Sequence, residues 1–289
     1  MTILDLLADE ARDRVAAERA ARPLAQVRAA ASAVPGPDGF PFERALAAPG
    51  LSFVCEVKKA SPSKGVIAPH FPYLDIARDY EAGGAAAISV LTEPARFLGA
   101  DAHLREIAAA VRAPVLRKDF TVDEYQLFEA RELGASAVLL ICAILSPTQL
   151  AHYLGLADEL GLSCLVEAHD AAEVETAVEV GARVIGVNNR DLRDFRVDPS
   201  RAGSLRALVP DGRLFVAESG VTGPADAAEV AASGADAVLV GEALMRADDR
   251  RAALVAMREA AGAAQDDGVG GAQDHGRTQD DGRTQGGPR

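Results

Sequence analysis

The feature that most constrains the fold of this chain is a short pattern that recurs four times along it. In each copy, a stretch with helical spacing ends in glycine and leads into a run of β-branched and other apolar residues. Glycine is the usual residue just past a helix C-terminus, so each copy predicts a helix followed by a buried strand. The copies are GGAAAISV, LGASAVLL, VGARVIGV and SGADAVLV, which begin at Gly83, Leu133, Val180 and Ser233.

Four further apolar runs alternate with these copies and bring the number of predicted strands to eight. They are LSFVCEVKK from Leu51, APVLRKDF from Ala113, GLSCLVEAH from Gly161 and GRLFVAESG from Gly212. Apolar strands separated by amphipathic helices are typical of a parallel sheet covered by helices, and eight units are the number that closes a (β/α)8 TIM barrel. An open doubly wound α/β sheet is the alternative, although no G-x-G-x-x-G follows the first strand and no G-x-x-x-x-G-K-[ST] occurs.

Composition divides the chain into a body and a tail. We predict one (β/α)8 barrel domain over residues 1–264, in which about residues 1–50 form an N-terminal helical extension. Residues 265–289 contain mainly Gly, Asp, Arg, Gln and Thr, with DHGRTQ followed by DDGRTQ. Almost nothing in that segment can be buried, so we predict a disordered tail.

Charge and hydropathy exclude several classes of protein. The formal net charge of −13 argues against general binding to the phosphate backbone of nucleic acid. The longest strongly apolar run, Ala135–Leu145, is far short of the roughly 20 residues that span a bilayer. Three cysteines in apolar runs are typical of buried thiols rather than of a disulfide framework. We therefore expect a cytoplasmic protein, monomeric, with neither a nucleic-acid nor a membrane partner.

Polar side chains stand at the C-terminal ends of five predicted strands. With the period of two of a β-strand, each follows an apolar residue on the same face. These residues are Glu56, Lys58, Lys118, Glu167, Asn188 and Glu218. Because the C-terminal strand ends ring the mouth where barrel active sites lie, the pattern predicts one catalytic cluster.

Lysine is rare in this chain, and its placement is selective. Of the 30 basic residues, 26 are arginine. The four lysines are Lys58, Lys59, Lys64 and Lys118. Lysine can lose a proton when burial or cationic neighbours lower its pKa, whereas arginine effectively cannot. Amines at the ends of the first and third strands therefore favour proton transfer over simple anion binding.

The last two predicted strands end in glycine, at Gly220 and Gly241. Loops after these strands commonly bind phosphate in barrels through main-chain N–H groups, and Arg190 follows the sixth strand. The sequence therefore predicts a phosphate site there. The segment Ser61–Gly65 after the first strand is either a plain turn or a mobile lid.

The five histidines predict no metal site, because none has the spacing of metal ligands. His169 lies two residues beyond Glu167. For His169 we expect helix capping or a surface position.

Seven motifs together resemble one enzyme family. They are EVKKASPSKG, LRKDF, EARELGASAVLLI, LVEAH, GVNNRDL, AESGV and VGEALM, in unbroken order from about Leu51 to Met245. The chain resembles the indole-3-glycerol phosphate synthases, the ring-closing lyases of tryptophan biosynthesis. The resemblance implies a barrel with an N-terminal helical extension and no cofactor. It also implies a phosphosugar substrate, 1-(2-carboxyphenylamino)-1-deoxyribulose 5-phosphate, and the products indole-3-glycerol phosphate, CO2 and water.

By matched motif, the resemblance implies catalytic roles for Glu56, Lys58, Lys118, Glu167, Asn188 and Glu218. Among them, Lys118 is a catalytic ammonium, Glu167 acts in proton transfer and Asn188 orients the substrate. Substrate contacts are implied for Ser61, Phe97, Phe120, Arg190 and Ser219. Phosphate contacts are implied for Gly220, Gly241 and Glu242, with Arg190 beside them. The loop LTEPARFLGA departs from the family in one place, because Ala100 stands where serine is usual.

Two other readings remain open at this point. A different phosphosugar barrel, such as the neighbouring Amadori isomerase, accounts for the phosphate loops but not for paired lysines with Glu167. A barrel that senses a phosphometabolite without turnover predicts tight binding and tolerance of Lys118→Met.

Overall fold

The computed structural model describes residues 2–190 and 196–270, and within them eight parallel strands close into a barrel. In chain order, the strands of the described residues are β1 Ser52–Val57, β2 Ala60–Ser61, β3 Gly65–Val66, β4 Ala87–Leu91, β5 Val115–Lys118, β6 Ala137–Ile141, β7 Ser163–Ala168, β8 Val184–Asn188, β9 Leu214–Glu218 and β10 Ala237–Val240. Strands β2 and β3 form a separate two-stranded sheet. The hydrogen-bonded order around the barrel is β1-β10-β9-β8-β7-β6-β5-β4. The predicted (β/α)8 barrel is confirmed, and closure of the sheet excludes the doubly wound alternative.

Helices cover the outside of the barrel and both of its ends. Their bounds are α1 Ile3–Ala21, α2 Leu24–Ala33, α3 Pro41–Leu46, α4 Tyr73–Ala82, α5 Asp101–Ala110, α6 Tyr125–Glu132, α7 Pro147–Glu159, α8 Ala171–Glu179, α9 Ser200–Leu205, α10 Pro224–Ala232, α11 Glu242–Arg246 and α12 Arg250–Gly270. Outward strand residues such as Phe53 and Ile88 pack with helix residues such as Tyr80. Inward residues such as Val54 and Leu165 form a second buried cluster inside the barrel.

The backbone conformation at the end of each helix explains why glycine recurs in the sequence pattern. Gly84, Gly134, Gly181 and Gly234 each follow the last residues of a helix and have φ values of 88°, 88°, 87° and 80°. This left-handed conformation ends the helix and turns the chain into the next strand, and only glycine adopts it without a steric penalty. The pattern therefore marks the helix-to-strand turns of the even-numbered units.

The predicted N-terminal extension consists of α1, α2 and α3, and it contacts both ends of the barrel. Helix α3 lies at the N-terminal end, where Ser52 donates a hydrogen bond to the carbonyl oxygen of Leu46 at 3.4 Å. Helix α1 lies across the C-terminal end, where Arg14 pairs with Asp119 at 2.8 Å. Asp119 directly follows Lys118, so α1 is anchored beside the predicted catalytic cluster.

The last helix, α12, runs from Arg250 through Gly270 and so includes the first residues of the predicted tail. Buried Leu254, Met257 and Ala261 fix this helix to the barrel. The rest of the predicted tail, from residue 271, and residues 191–195 of the GVNNRDL motif lie outside the described residues.

All three cysteines fall in the described part of the chain and are free thiols. Cys55 and Cys164 are buried as predicted, while Cys142 is only half-buried. None of the helices described is both long and apolar enough to cross a bilayer.

The loop after β4 provides a stability prediction with a matched control. A Cβ on Gly99 would lie under 3.0 Å from the main chain of Leu91 and Thr92, which cannot move without disturbing β4. We expect Gly99→Ala to lower the free energy of unfolding by about 1–3 kcal/mol, as overpacking does. Gly155, by contrast, is exposed within α7 and open around its Cα as far as the described residues show.

For Gly155→Ala we expect a gain of about 0.5–1 kcal/mol, because alanine is the better helix former. Urea unfolding of the two variants measures both changes. A Gly99→Ala protein as stable as the parent would contradict the packing argument.

Candidate active site

A cavity of about 820 Å³ opens at the C-terminal ends of the barrel strands, and all of the predicted site residues line it. These are Glu56, Lys58, Ser61, Phe97, Lys118, Phe120, Glu167, Asn188, Arg190, Glu218, Ser219, Gly220, Gly241 and Glu242. The strands bring together residues that are far apart in sequence. The polar strand ends thus lie around one cavity, and the roles of these residues stay a prediction.

Strand periodicity and register explain why these side chains converge. On β7, Leu165 lies in the buried interior of the barrel, and Glu167, two residues on, faces the cavity. The parallel ladder pairs Glu167 with Gly186 of β8, and Asn188 of β8 with Glu218 of β9. Neighbouring strands thus deliver their polar residues at the same level, above an apolar layer.

Ion pairs divide the cluster into two acid–base groups. On β1, the Lys58 ammonium is bonded to the Glu56 carboxylate. On the other side, Lys118 Nζ lies 3.5 Å from Glu167 Oε2 and 4.0 Å from Glu218 Oε2. Each lysine therefore has a carboxylate within reach of the same small ligand.

The charge of Lys118 differs from the expectation for a catalytic lysine. Burial by itself lowers the pKa of Lys118, but the carboxylates of Glu167, Glu218 and Glu56 outweigh burial and raise its pKa above the ordinary value. The expectation of a lowered lysine pKa is therefore wrong for this residue. Lys118 stands ready as a proton donor, not as a base.

The two carboxyl groups beside Lys118 have opposite pKa shifts. Burial disfavours the charge on Glu167, but Lys118, His169 and Asn188 hold its pKa below the usual range. Burial and the neighbouring negative charge of Glu167 raise the pKa of Glu218 well above its usual value. The two neighbouring carboxyl groups therefore differ in acidity, and Glu167 gives up its proton more readily than Glu218.

Two glycines leave the space that the charged groups occupy. A Cβ on Gly186 would lie under 3.0 Å from Glu218 Oε1, and a Cβ on Gly241 would lie under 3.0 Å from Glu56 Oε1. The sequence assigns Gly241 to phosphate alone, whereas the structure also places it against the Glu56–Lys58 pair. Motif spacing does not identify Gly186 as a site residue, because Gly186 contributes only the space in which the Glu218 side chain lies.

The loop after β9 has an unusual backbone. Ser219, a residue with a side chain, has a φ of 65°, and Gly220 follows with a φ of 99°. Asn189 holds this loop, since its Nδ2 donates to the carbonyl oxygen of Ser219 at 2.9 Å and its Oδ1 accepts from the N–H of Ala202 at 2.8 Å. The sequence shows Asn189 only as one of two adjacent asparagines, and the structure gives it this positioning role.

Glu242 is bound to cations on both sides. Its Oε1 lies 3.0 Å from Arg246 Nε and 3.9 Å from Lys64 Nζ. Lys64 is the last residue of the turn in the β2–β3 hairpin, so the segment predicted as a turn or a lid is a hairpin next to α11. A carboxylate repels phosphate, so any contact of Glu242 with phosphate must come from its main chain.

Apolar side chains form the remaining wall. The rings of Phe97 and Phe120 have centroids 6.3 Å apart. Leu139 and Ile141 of β6 extend this surface, and Leu7 of α1 adds to it. Leu7 is invisible to motif analysis, because only the docking of α1 across the barrel end brings it to the cavity.

His169 is also placed differently from its prediction. Its side chain is only 14% exposed, and its two ring nitrogens face the carboxylates of Glu167 and Glu173. The expected surface position is wrong, because the turn after β7 folds the imidazole back toward the cavity.

A closed (β/α)8 barrel with half-buried lysines and buried carboxylates around a cavity at its C-terminal strand ends defines an acid–base barrel enzyme. The model of the indole-3-glycerol phosphate synthase family matches residues 4–257. The chain belongs to this family.

Relatives of known name agree with the family match. The chain is 50% identical over 259 residues to an indole-3-glycerol phosphate synthase of Ruminiclostridium cellulolyticum, an alignment that covers 90% of this chain and 100% of that protein. It is 50% identical over 247 residues to indole-3-glycerol phosphate synthase 2 of Streptomyces coelicolor, covering 86% of this chain and 95% of that one.

Among solved structures, thiamine phosphate pyrophosphorylase from Pyrococcus furiosus has a TM-score of 0.57 at 20% identity, over 77% of this chain and 98% of that one. At that identity the likeness shows the shared barrel fold only.

Family membership gives the reaction. The chain is a carboxy-lyase of tryptophan biosynthesis and converts 1-(2-carboxyphenylamino)-1-deoxyribulose 5-phosphate to indole-3-glycerol phosphate, CO2 and water. Its substrate is thus a phosphosugar, as the sequence predicts.

Proposed function

We propose that this chain closes the indole ring by general acid–base catalysis, with Lys118 and Glu167 as the central acid and base. The observation that supports this assignment is the 3.5 Å separation between Lys118 Nζ and Glu167 Oε2 in a buried cavity. Neighbouring groups keep the first protonated and the second ionised. An acid and a base poised side by side suit a reaction that both donates and removes protons.

Ring closure is the first step that needs an acid. A C–C bond forms between the ring carbon that bears the carboxylate and C2 of the ribulose, and the carbonyl oxygen becomes a hydroxyl. We assign the donated proton to Lys118. Its raised pKa is compatible with this role, because the developing alkoxide is more basic than an amine. The ammonium also stabilises the negative charge on that oxygen as it forms.

Decarboxylation and dehydration complete the sequence. The bond to CO2 breaks, and its electron pair restores the aromatic ring. The new hydroxyl then leaves as water with a proton from an ammonium, and the adjacent C1 gives up a proton to a carboxylate. We assign Glu167 as that base, with the Glu56–Lys58 pair as the second acid–base group. Each step moves only protons and CO2, so we propose that turnover needs no cofactor.

Substrate contacts follow from the lining of the cavity. We propose that Phe97 and Phe120 pack against the carboxyphenyl ring and that Ser61 and Ser219 contact the polar part of the substrate. Asn188 orients the substrate and also donates from its Nδ2 to Glu167 Oε1 at 3.2 Å. The amide therefore positions the base as well.

The phosphate group is proposed to lie against the loops after β8, β9 and β10. Gly220 and Gly241 allow the main chain to approach an anion, the N–H of Glu242 begins α11, and Arg190 supplies positive charge. We expect Arg190→Gln to raise KM about 10- to 100-fold with a smaller change in kcat, because a charge-assisted hydrogen bond to phosphate is worth about 1.5–3 kcal/mol.

Steady-state kinetics measures this split. Inorganic phosphate should inhibit the parent protein competitively and the Arg190→Gln variant more weakly. A large fall in kcat with unchanged KM would place Arg190 in the chemistry instead.

The direct test mixes purified protein with the carboxyphenylamino-deoxyribulose phosphate and follows indole fluorescence. Appearance of indole-3-glycerol phosphate and one CO2 per turnover supports the assignment. No signal at micromolar enzyme defeats it, and an isomerised sugar without CO2 favours the Amadori isomerase. Binding without product, unaffected by Lys118→Met, favours the sensor.

Two further expectations remain proposals. We propose a cytoplasmic location, because the substrate of a biosynthetic step is made and consumed there. We also propose a monomer, which sedimentation velocity at micromolar concentration tests.

A further inference from the structure

His169 occupies a place that the chemistry above leaves unexplained. Its side chain is 14% exposed at the end of β7, beside the cavity. Nε2 lies 3.3 Å from Glu167 Oε1, and Nδ1 lies 3.1 Å from Glu173 Oε2. One imidazole therefore lies between two carboxylates, hydrogen-bonded to Glu173 of α8 and within ion-pair distance of the proposed base, Glu167.

The contact of His169 with Glu173 is fixed by the start of α8. Glu173 Oε2 also accepts the main-chain N–H of His169 at 2.8 Å. The N–H of Glu173 donates in turn to Asp170 Oδ1 at 3.0 Å, the N-cap of α8. Glu173 thus holds both the ring and the main chain of His169, so the imidazole cannot turn away without losing its hydrogen bond to Glu173.

The contacts of the Glu167 carboxylate with His169 and its other neighbours determine its orientation. Its Oε1 faces His169 and the Nδ2 of Asn188, which donates to it at 3.2 Å. Its Oε2 faces Lys118 at 3.5 Å. Because both oxygens have a cation or a donor beside them, the Glu167 carboxylate is held in one orientation. In that orientation Oε2, the oxygen nearer Lys118, faces the ligand cavity.

We propose that His169 is a positioning residue that, as an imidazolium, orients the Glu167 carboxylate and keeps it ionised, with Glu173 as its anchor. The proposal rests on the role proposed for Glu167. In many enzymes a carboxylate orients a catalytic histidine. Here the roles are reversed, and the histidine orients the catalytic carboxylate of Glu167.

Electrostatics supports the imidazolium. Burial lowers the pKa of His169, but the two carboxylates outweigh it and raise the pKa to about 10. The charged groups that face Glu167 from the other elements are Glu56 of β1, Lys118 of β5 and Glu218 of β9. Removing His169 leaves Lys118 as the cation beside Glu167 and raises the pKa of Glu167, since an opposite charge at this distance lowers such a pKa by about 1–3 units.

The first experiment compares His169→Ala with His152→Ala, a matched loss of an exposed histidine near the Glu124 carboxylate. We expect kcat of His169→Ala to fall about tenfold or more with little change in KM, because a displaced catalytic group costs about that much. The acidic limb of the profile of kcat/KM against pH should also lie at a higher pH than in the parent, because loss of the imidazolium raises the pKa of Glu167. His152→Ala should match the parent in both respects.

A conservative variant separates charge from packing. His169→Gln keeps a hydrogen-bond donor without the charge, so it should recover stability and part of kcat but not the parent position of the acidic limb. A His169→Gln protein with the acidic limb of the parent overturns the proposal, as does a His169→Ala protein with parent kcat.

A third measurement does not depend on activity or on the folding of a variant. In 15N-histidine NMR of the parent protein, the His169 ring should remain doubly protonated at pH 8. A neutral ring at that pH overturns the proposal.

Glu167→Gln separates this inference from the proposed function. If Glu167→Gln keeps parent activity, the assigned base is wrong. If it loses activity, His169→Ala in the Glu167→Gln background should cost nothing more, because the two residues act as one unit. A further full loss in the double variant overturns the positioning role and leaves Glu167 as the base.

Discussion

Lys118→Arg is expected to lower kcat by about 10²- to 10⁴-fold while the folded structure and the positive charge are kept. The ammonium lies between Glu167 and Glu218, at 3.5 Å and 4.0 Å, and a guanidinium can satisfy the same two carboxylates. What it cannot do is transfer a proton, because arginine does not ionise in proteins. Single-turnover kinetics with saturating substrate measures the chemical step directly.

The control for this change is Lys59→Arg. Lys59 follows Lys58 in sequence but does not line the cavity. We expect its kcat to stay within about twofold of the parent, as for most surface substitutions away from a site. If Lys118→Arg also retained near-parent kcat, Lys118 would act only as a charge and the acid would have to be sought at Lys58.

Glu167→Gln is expected to lower kcat by about 10²- to 10⁴-fold, whereas Glu218→Gln should lower it by less than about tenfold. The physical reason is that the pKa values of the two neighbouring groups shift in opposite directions. Lys118 and His169 help to keep the pKa of Glu167 low, whereas burial and the charge of Glu167 raise the pKa of Glu218. Glutamine matches the size and the donor of a neutral carboxyl group, but it removes the base where the group is ionised.

The pair also predicts a pH effect of known sign. A base with a lowered pKa stays ionised until the pH falls to that pKa, so activity that depends on Glu167 should persist into mildly acidic solution. Glu218→Gln removes a buried carboxyl group whose pKa is raised by burial and by the charge of Glu167. Profiles of kcat/KM against pH check this expectation. Equal losses in both variants would show that the carboxyl groups share the work of a base.

The strands and their polar ends can be predicted from sequence because both depend on local patterns. A period of two sets which residues face inward, and a glycine with positive φ marks each helix end, as at Gly134. Family motifs then identify the residues that line the cavity. None of this requires knowledge of contacts between distant segments.

The parts that escape prediction depend on packing between segments. Leu7 reaches the cavity only because α1 docks across the barrel end. His169 looks like a surface residue until the turn after β7 places it between two carboxylates. The pKa of Lys118 has the opposite shift from the sequence argument, since three carboxylates from separate strands surround it. The pKa of such a residue depends on charges from several distant segments, so no single motif predicts it.

The docking of the first helix has a practical consequence for protein engineering. Leu7 lines the cavity, and Arg14 forms an ion pair with Asp119, the residue after Lys118. A purification tag or fusion partner joined at the N-terminus is therefore attached to a part of the substrate pocket. An affinity label or a neighbouring enzyme is better joined after the last helix, whose far end lies beyond the residues that anchor it to the barrel.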